Sequence, residues 1–166
     1  IKMIRKKNKF SWPRKLYDKS RISSENILVE QYGLKNKREI WKAEAKVKYF
    51  RNRAKFLIGA DSEEQNKFFT KLNSLGLPVK SIADVLALNK EDILRRRLST
   101  IVWKKQIANT ARHARQMIVH RKIAVNGRIV DVPSFLVPIT EETTIFAKKE
   151  TPVKNDKTKV SMEEEQ

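Results

Sequence analysis

The fifteen residues His113 to Gly127 hold the only two histidines of the chain, with Arg115, Gln116, Arg121, Lys122 and an Asn126-Gly127 pair, and Arg112 stands just before them. Such a set is open to two chemistries: acid/base or metal work by the imidazoles, or capture of an anion by guanidinium, ammonium and amide groups. Spacing speaks against the imidazoles. On a helix, residues seven apart have α-carbons roughly 10 Å from each other, whereas a metal needs ligand atoms about 2 Å away on all sides. Helical metal-binding histidines sit three or four apart. No carboxylate in the segment supplies a third ligand or orients a histidine toward a nucleophile. The chain has no nucleophile elbow, no Gly-rich phosphate loop and no paired carboxylates near a strand end, and its lack of cysteine removes thiol catalysis and zinc-thiolate sites. Enzymatic activity is disfavoured.

Anion chemistry is better served. A helix starting at Thr110 would present backbone N–H groups and a partial positive charge beside Arg112, Arg115 and, further on, His120. Arginine forks grip phosphate oxygens at two points, and Gln116 or Asn126 can donate to a phosphate or a 2′-hydroxyl. A basic surface with no specific partner is the plainer alternative.

The elements that must position these groups follow from periodicity. Thr110 caps a helix to about Val119, with Ala111, Ala114, Met117 and Ile118 inward. "KIAV" and "RIVDV", separated by Asn-Gly, read as a two-residue hairpin with a type I′ turn. In that register Ile123 faces Val130, Ala124 faces Ile129 and Lys122 opposes Asp131, and the hairpin sets Lys122 and Arg128 beside the helix. Pro133 and Pro138 confine "SFLV" to an edge or short strand, and "TTIFAK" is the last strand candidate.

Upstream the chain reads as helical. Ser23 or Ser24 caps a short helix stopped by Gly33. Asn36 and Glu39 have capping-box spacing for a helix from Lys37 to about Ile58, with Gly59 as a left-handed end. Ile40, Ala43, Val47, Phe50, Ala54 and Leu57 form its apolar stripe, and Lys37, Arg38, Lys42, Lys46, Lys48, Arg51, Arg53 and Lys55 occupy its other faces. Such a face can follow a phosphate backbone, or it is simply solvated. Ser62 with Gln65 forms a second capping box before Phe68, Phe69, Leu72 and Leu75. A short helix follows Ser81, and Asn89 with Asp92 opens one helix from Lys90 to about Gln106. Leu94, Leu98, Ile101 and Val102 share its inner face, so Arg95, Arg96 and Arg97 cannot all lie there.

The fold class is therefore α+β: a basic arm over 1–21, a helical domain over 22–92, a unit of helices and a small antiparallel sheet over 93–149, and a disordered tail over 150–166. The arm either orders against a partner or serves as a solubilising tail. Thirty-seven Lys and Arg against 19 acidic residues give a net charge of +18, concentrated in 1–60 and 93–149 around a slightly acidic middle. Such an excess favours polyanion partners. With no apolar run near the roughly 20 residues of a membrane span, and no apolar stretch at its start, the chain is expected to be soluble and intracellular.

"TARHARQMIVHRKIAVNGRIVDVPSFLV", preceded by "ILRRRLSTIVWKK", closely resembles the S-four RNA-binding domain. "EQYGLKNKREIWKAEAKVKYFRNRAKFLI" resembles the matching region of the S-four family of small-subunit ribosomal proteins in its archaeal and eukaryotic branch, and the resemblance runs collinearly from about residue 10 to 147. It implies a non-catalytic, cofactor-free cytoplasmic ribosomal protein that binds small-subunit rRNA at a 5′-domain junction early in assembly. The implied partners are other small-subunit proteins such as S-five, and mRNA near its entry, where the protein would help decoding accuracy; no membrane is implied. Carried over by position, the RNA face comprises Arg95, Arg97, Thr110, Arg112, Arg115, Gln116, His120, Arg121, Lys122, Asn126 and Arg128. Lys37, Arg38, Trp41, Lys42, Arg51 and Arg53 fall on the long helix. His113 stands where the family often has glutamine. Arg121 stands where many members have glycine, so the local turn is expected to differ there. The same module is appended to pseudouridine synthases, some tRNA synthetases and a stress factor that binds free large subunits, which leaves an RNA-modifying enzyme or a stress factor as the alternatives.

Overall fold

The computed structural model describes residues 8–147; the first seven residues of the arm and the tail expected over 150–166 lie outside them. The elements run α1 (Lys19–Gln31), α2 (Arg38–Phe56), a 3₁₀ turn (Leu57–Gly59), α3 (Ser62–Ser74), α4 (Ile82–Ala87), α5 (Lys90–Arg95), α6 (Leu98–Lys104), α7 (Ala111–Val119), β1 (Ile123–Val125), β2 (Arg128–Ile129), α8 (Ile139–Glu142) and β3 (Ile145–Ala147). None of these helices is long and apolar enough to cross a membrane.

The α2 stripe is buried as its spacing requires, from Ile40 to Leu57. Its members from Ile40 to Ala54, with Leu28, Leu72, Val85 and Leu94, build a first apolar cluster, while Leu98, Ile101, Ala114, Ile118, Ile123, Val137 and Ile145 build a second. The sheet order is β2-β1-β3, all antiparallel, with Ala124 opposite Ile129 and Phe146. Asn126 (φ 51°) and Gly127 (φ 73°) both lie in the left-handed region, as a type I′ hairpin demands.

Several helix ends differ from expectation. α1 starts at Lys19, inside the expected arm, because Asp18 rather than Ser23 or Ser24 caps it, accepting from the Ser20 N–H at 3.2 Å. Neither expected capping box at Asn36/Glu39 or Ser62/Gln65 forms. Gln65 instead donates to Leu57 O and Ala60 O, closing the 3₁₀ turn, and Gly59 has no positive φ. Asp92 does accept from the Asn89 N–H at 2.8 Å, but the single helix expected from Lys90 breaks into α5 and α6 at Arg97 (φ −73°, ψ 145°). The groups freed by the break are taken up by residues 135–137: Leu98 N donates to Phe135 O at 2.8 Å and Val137 N to Arg96 O at 3.2 Å. "SFLV" therefore contributes a bridge between Arg97 and Leu136 rather than a sheet strand.

Four helices end in the same hydrogen-bonded pattern, with left-handed residues at Gly33, Gly76, Gln106 and Arg121. After α7, Lys122 N donates to Met117 O and Arg121 N to Ile118 O, the paired bonds of a Schellman motif. Arg121 (φ 58°) thus takes the conformation a glycine would, and the turn expected to differ keeps its glycine-like geometry.

Candidate nucleic-acid interface

The cationic side chains divide into those held by an acid and those left at the surface. Glu39, in the first turn of α2, binds Arg115 through both nitrogens, Nη1 to Oε2 at 3.1 Å and Nη2 to Oε1 at 2.8 Å, and also accepts from Arg97 Nη2. Burial alone would push the Glu39 carboxyl toward its neutral form, but the hydrogen bonds from Arg115 and Arg97 outweigh it and hold its pKa below the ordinary glutamate value. Arg97 is only 4% exposed. Buried Glu25 accepts from Arg21 at 2.7 Å and from the Trp41 indole at 2.9 Å, with the Lys37 ammonium 3.8 Å away. Glu142 pairs with Arg96 at 3.0 Å, while the same guanidinium donates to Leu75 O and Val137 O.

These ties change the reading of individual residues. Arg97 is turned inward and does not reach the surface, Arg115 is clamped, and Arg51 donates to Leu88 O at 2.7 Å, so all three serve packing between elements. Arg95 stays exposed beside Glu91 and Asp92. Thr110 spends its hydroxyl as the α7 cap, accepting from the His113 N–H at 3.1 Å. The start of α7 is also seated on Gly33: a Cβ there would lie 2.8 Å from Ala111 C and Arg112 N. The anion site expected at the backbone of this helix start is therefore largely closed, and the task passes to side chains.

Arg112, Gln116 and His120 follow at four-residue steps, all exposed, so they form one stripe along α7. His113 lies beside it in the first turn. The Arg121 motif turns the chain at once into the hairpin, whose exposed surface carries Lys122, Asn126 and Arg128. Arg121 itself is exposed, 3.7 Å from Asp131, a pairing of little energetic weight. On α2, Arg38 lies 5.4 Å from the Trp12 ring, Arg53 lies 5.6 Å from the Phe56 ring, and Lys42 is exposed. Among the described residues, Arg112, Arg128 and Lys42 have no acid partner. The acids that sort the cations were invisible in the sequence: Glu39 carried a signal, but its spacing pointed to a local cap.

Residues 96–142, from the end of α5 through α8, match the S4 domain family. Beyond that segment, the chain is 45% identical over 143 residues to small ribosomal subunit protein uS4 of Methanococcus aeolicus, covering 82% of this chain and 81% of the relative. It is 41% identical over 156 residues to the uS4 protein of Methanothermobacter thermautotrophicus, covering 89% and 90%, and 43% identical over 151 residues to that of Nanoarchaeum equitans, covering 86% and 84%. Identity at this level, reaching well outside the S4 segment into the helical half that Glu39 ties to it, leads to one conclusion: the chain belongs to the uS4 family of small ribosomal subunit proteins.

Proposed function

We propose that the protein is a structural, non-catalytic constituent of the small subunit of the cytoplasmic ribosome that binds small-subunit rRNA at a 5′-domain junction early in assembly. In this reading it sits beside protein S-five near the mRNA entry and helps decoding accuracy. The observation that carries the rRNA contact is the exposed stripe of Arg112, Gln116 and His120, joined through the Arg121 turn to a hairpin bearing Lys122, Asn126 and Arg128. The stripe and the hairpin are rigidly related, so their charges meet a folded RNA without first being ordered. Guanidinium and ammonium groups displace counterions from phosphates, while Gln116 and Asn126 reach 2′-hydroxyls.

Because Arg115 is bound to Glu39, its replacement would disturb the fold as well as the surface; Arg112 and Arg128 make the cleaner test. In a filter-binding titration with a 5′-domain rRNA transcript, Arg112→Ala combined with Arg128→Ala should weaken binding roughly tenfold and flatten the slope of log affinity against log salt by about 2. Unchanged affinity and slope would remove this face as the contact.

A further inference from the structure

Between α2 and the segment 133–136 runs an open groove of about 710 Å³. The titratable groups that line it with Lys46 are Lys42 and Tyr49 on the same helix, Lys9 on the arm, Arg97 at the break between α5 and α6, and Arg115 on α7. Glu39 is the one acid among its lining residues, and the two arginines already bind it. Among the described residues none of the three lysines has an ion pair or hydrogen bond.

A surface lysine is ordinarily a poor nucleophile, because it extends into water and keeps its proton. Two features set Lys46 apart. It is half-buried one helical turn beyond Lys42, a like-charge spacing that destabilises a helix. Lys9 cannot withdraw from it, since the arm is pinned: Phe10 and Trp12 pack on Trp41 with ring centroids 5.9 and 5.3 Å away. Burial, and then the charge of Lys9, lowers the proton affinity of Lys46. Desolvation and a cationic neighbour are the conditions that turn a lysine into a nucleophile. The same cations draw an anionic reagent toward it.

We propose that Lys46 is an acylation site: a small acyl phosphate enters the groove with its phosphate between the Lys9 and Lys42 ammonium groups, and the Lys46 amine takes its acyl group. The site goes beyond the rRNA-binding reading and does not depend on it. The lone pair of the neutral Lys46 Nζ attacks the acyl carbon and a carbon–nitrogen bond forms. The bond from that carbon to the phosphate oxygen breaks, and the phosphate leaves with the proton that the nitrogen releases. The products are an N-acyl-lysine and hydrogen phosphate, with no oxidant or reductant required. The amide is uncharged, so the reaction removes the repulsion from Lys9 and Lys42 that activated the amine.

The test incubates the free full chain with acetyl phosphate near neutral pH and follows each lysine by peptide mass spectrometry. Lys46 should be acetylated about tenfold faster than Lys67, whose side chain stands 76% exposed on α3 beside Glu63. Excess inorganic phosphate, which competes for the ammonium groups, should slow Lys46 and spare Lys67, whereas sodium chloride at matched ionic strength should do so far less. Lys9→Gln removes one activating charge and should slow Lys46 about threefold with Lys67 unchanged. Acetylation of Lys46 no faster than that of Lys67 overturns the proposal, as does equal slowing of both by phosphate or an unchanged Lys46 rate in Lys9→Gln. None of these outcomes bears on rRNA binding, which the Arg112 and Arg128 replacements test separately.

Discussion

At the scale of single residues, the consequence turns on Glu39. One carboxylate holds two guanidinium groups, one of them almost fully buried, so its charge is needed in place. Glu39→Gln leaves a buried arginine short of its counter-charge and should cost about 3 kcal/mol, read as a lower urea midpoint at pH 7. The sign of the pH effect follows from the lowered folded-state pKa. Glu39 contributes its stability above the unfolded glutamate value of about 4.3, and that contribution drains away as pH falls through the lower folded value. Wild-type stability should therefore drop below about pH 4, and the Gln variant should lose less over the same interval because it has no proton to take up there.

At the scale of elements, the four left-handed helix ends divide by what surrounds them. Gly33 has no room for a side chain against Ala111 C and Arg112 N, whereas Gln106 and Arg121 are exposed and accept the strain. Gly33→Ala should destabilise the protein by more than 2 kcal/mol, combining backbone strain with displacement of α7, and Arg121→Gly should stabilise it by up to about 1 kcal/mol. Thermal unfolding checks both. Elements set by local chemistry were legible in the sequence: the Thr110 cap, the Asn126-Gly127 turn, the Ala124–Ile129 register and the α2 stripe all depend on residues within a few positions of one another. What the sequence concealed depends on distant partners. Glu39 abandons its local cap for arginines 58 and 76 residues away, Gln65 turns back to the preceding 3₁₀ turn, and the run of three arginines breaks at Arg97 because residues 135–137 take its neighbours' backbone bonds. The site was legible as a segment, and the division between clamped and free cations was not.

At the scale of the whole molecule, Glu39 supplies one of the ties between the two apolar clusters. The first ends at Leu94 and the second begins at Leu98, while Glu39 on α2 reaches Arg97 and Arg115 from beyond that boundary, and Gly33 seats the start of α7. Trp41 packs against the first cluster and Trp103 against the second. In variants that keep one tryptophan each and carry phenylalanine at the others, urea unfolding followed by fluorescence should give coincident curves for the two reporters. In a Glu39→Ala background the curves should separate, and coincidence there would show that the clusters hold together without the carboxylate. The same tie imposes an order in time. With partners 58 and 76 residues downstream, Glu39 is synthesised well before either arginine, an interval of roughly 3 to 15 s at translation rates of about 5–20 residues per second. Until Arg97 is made the new helix carries an acid with no mate, and a nascent chain stalled between Arg97 and Arg115 has only half of the latch.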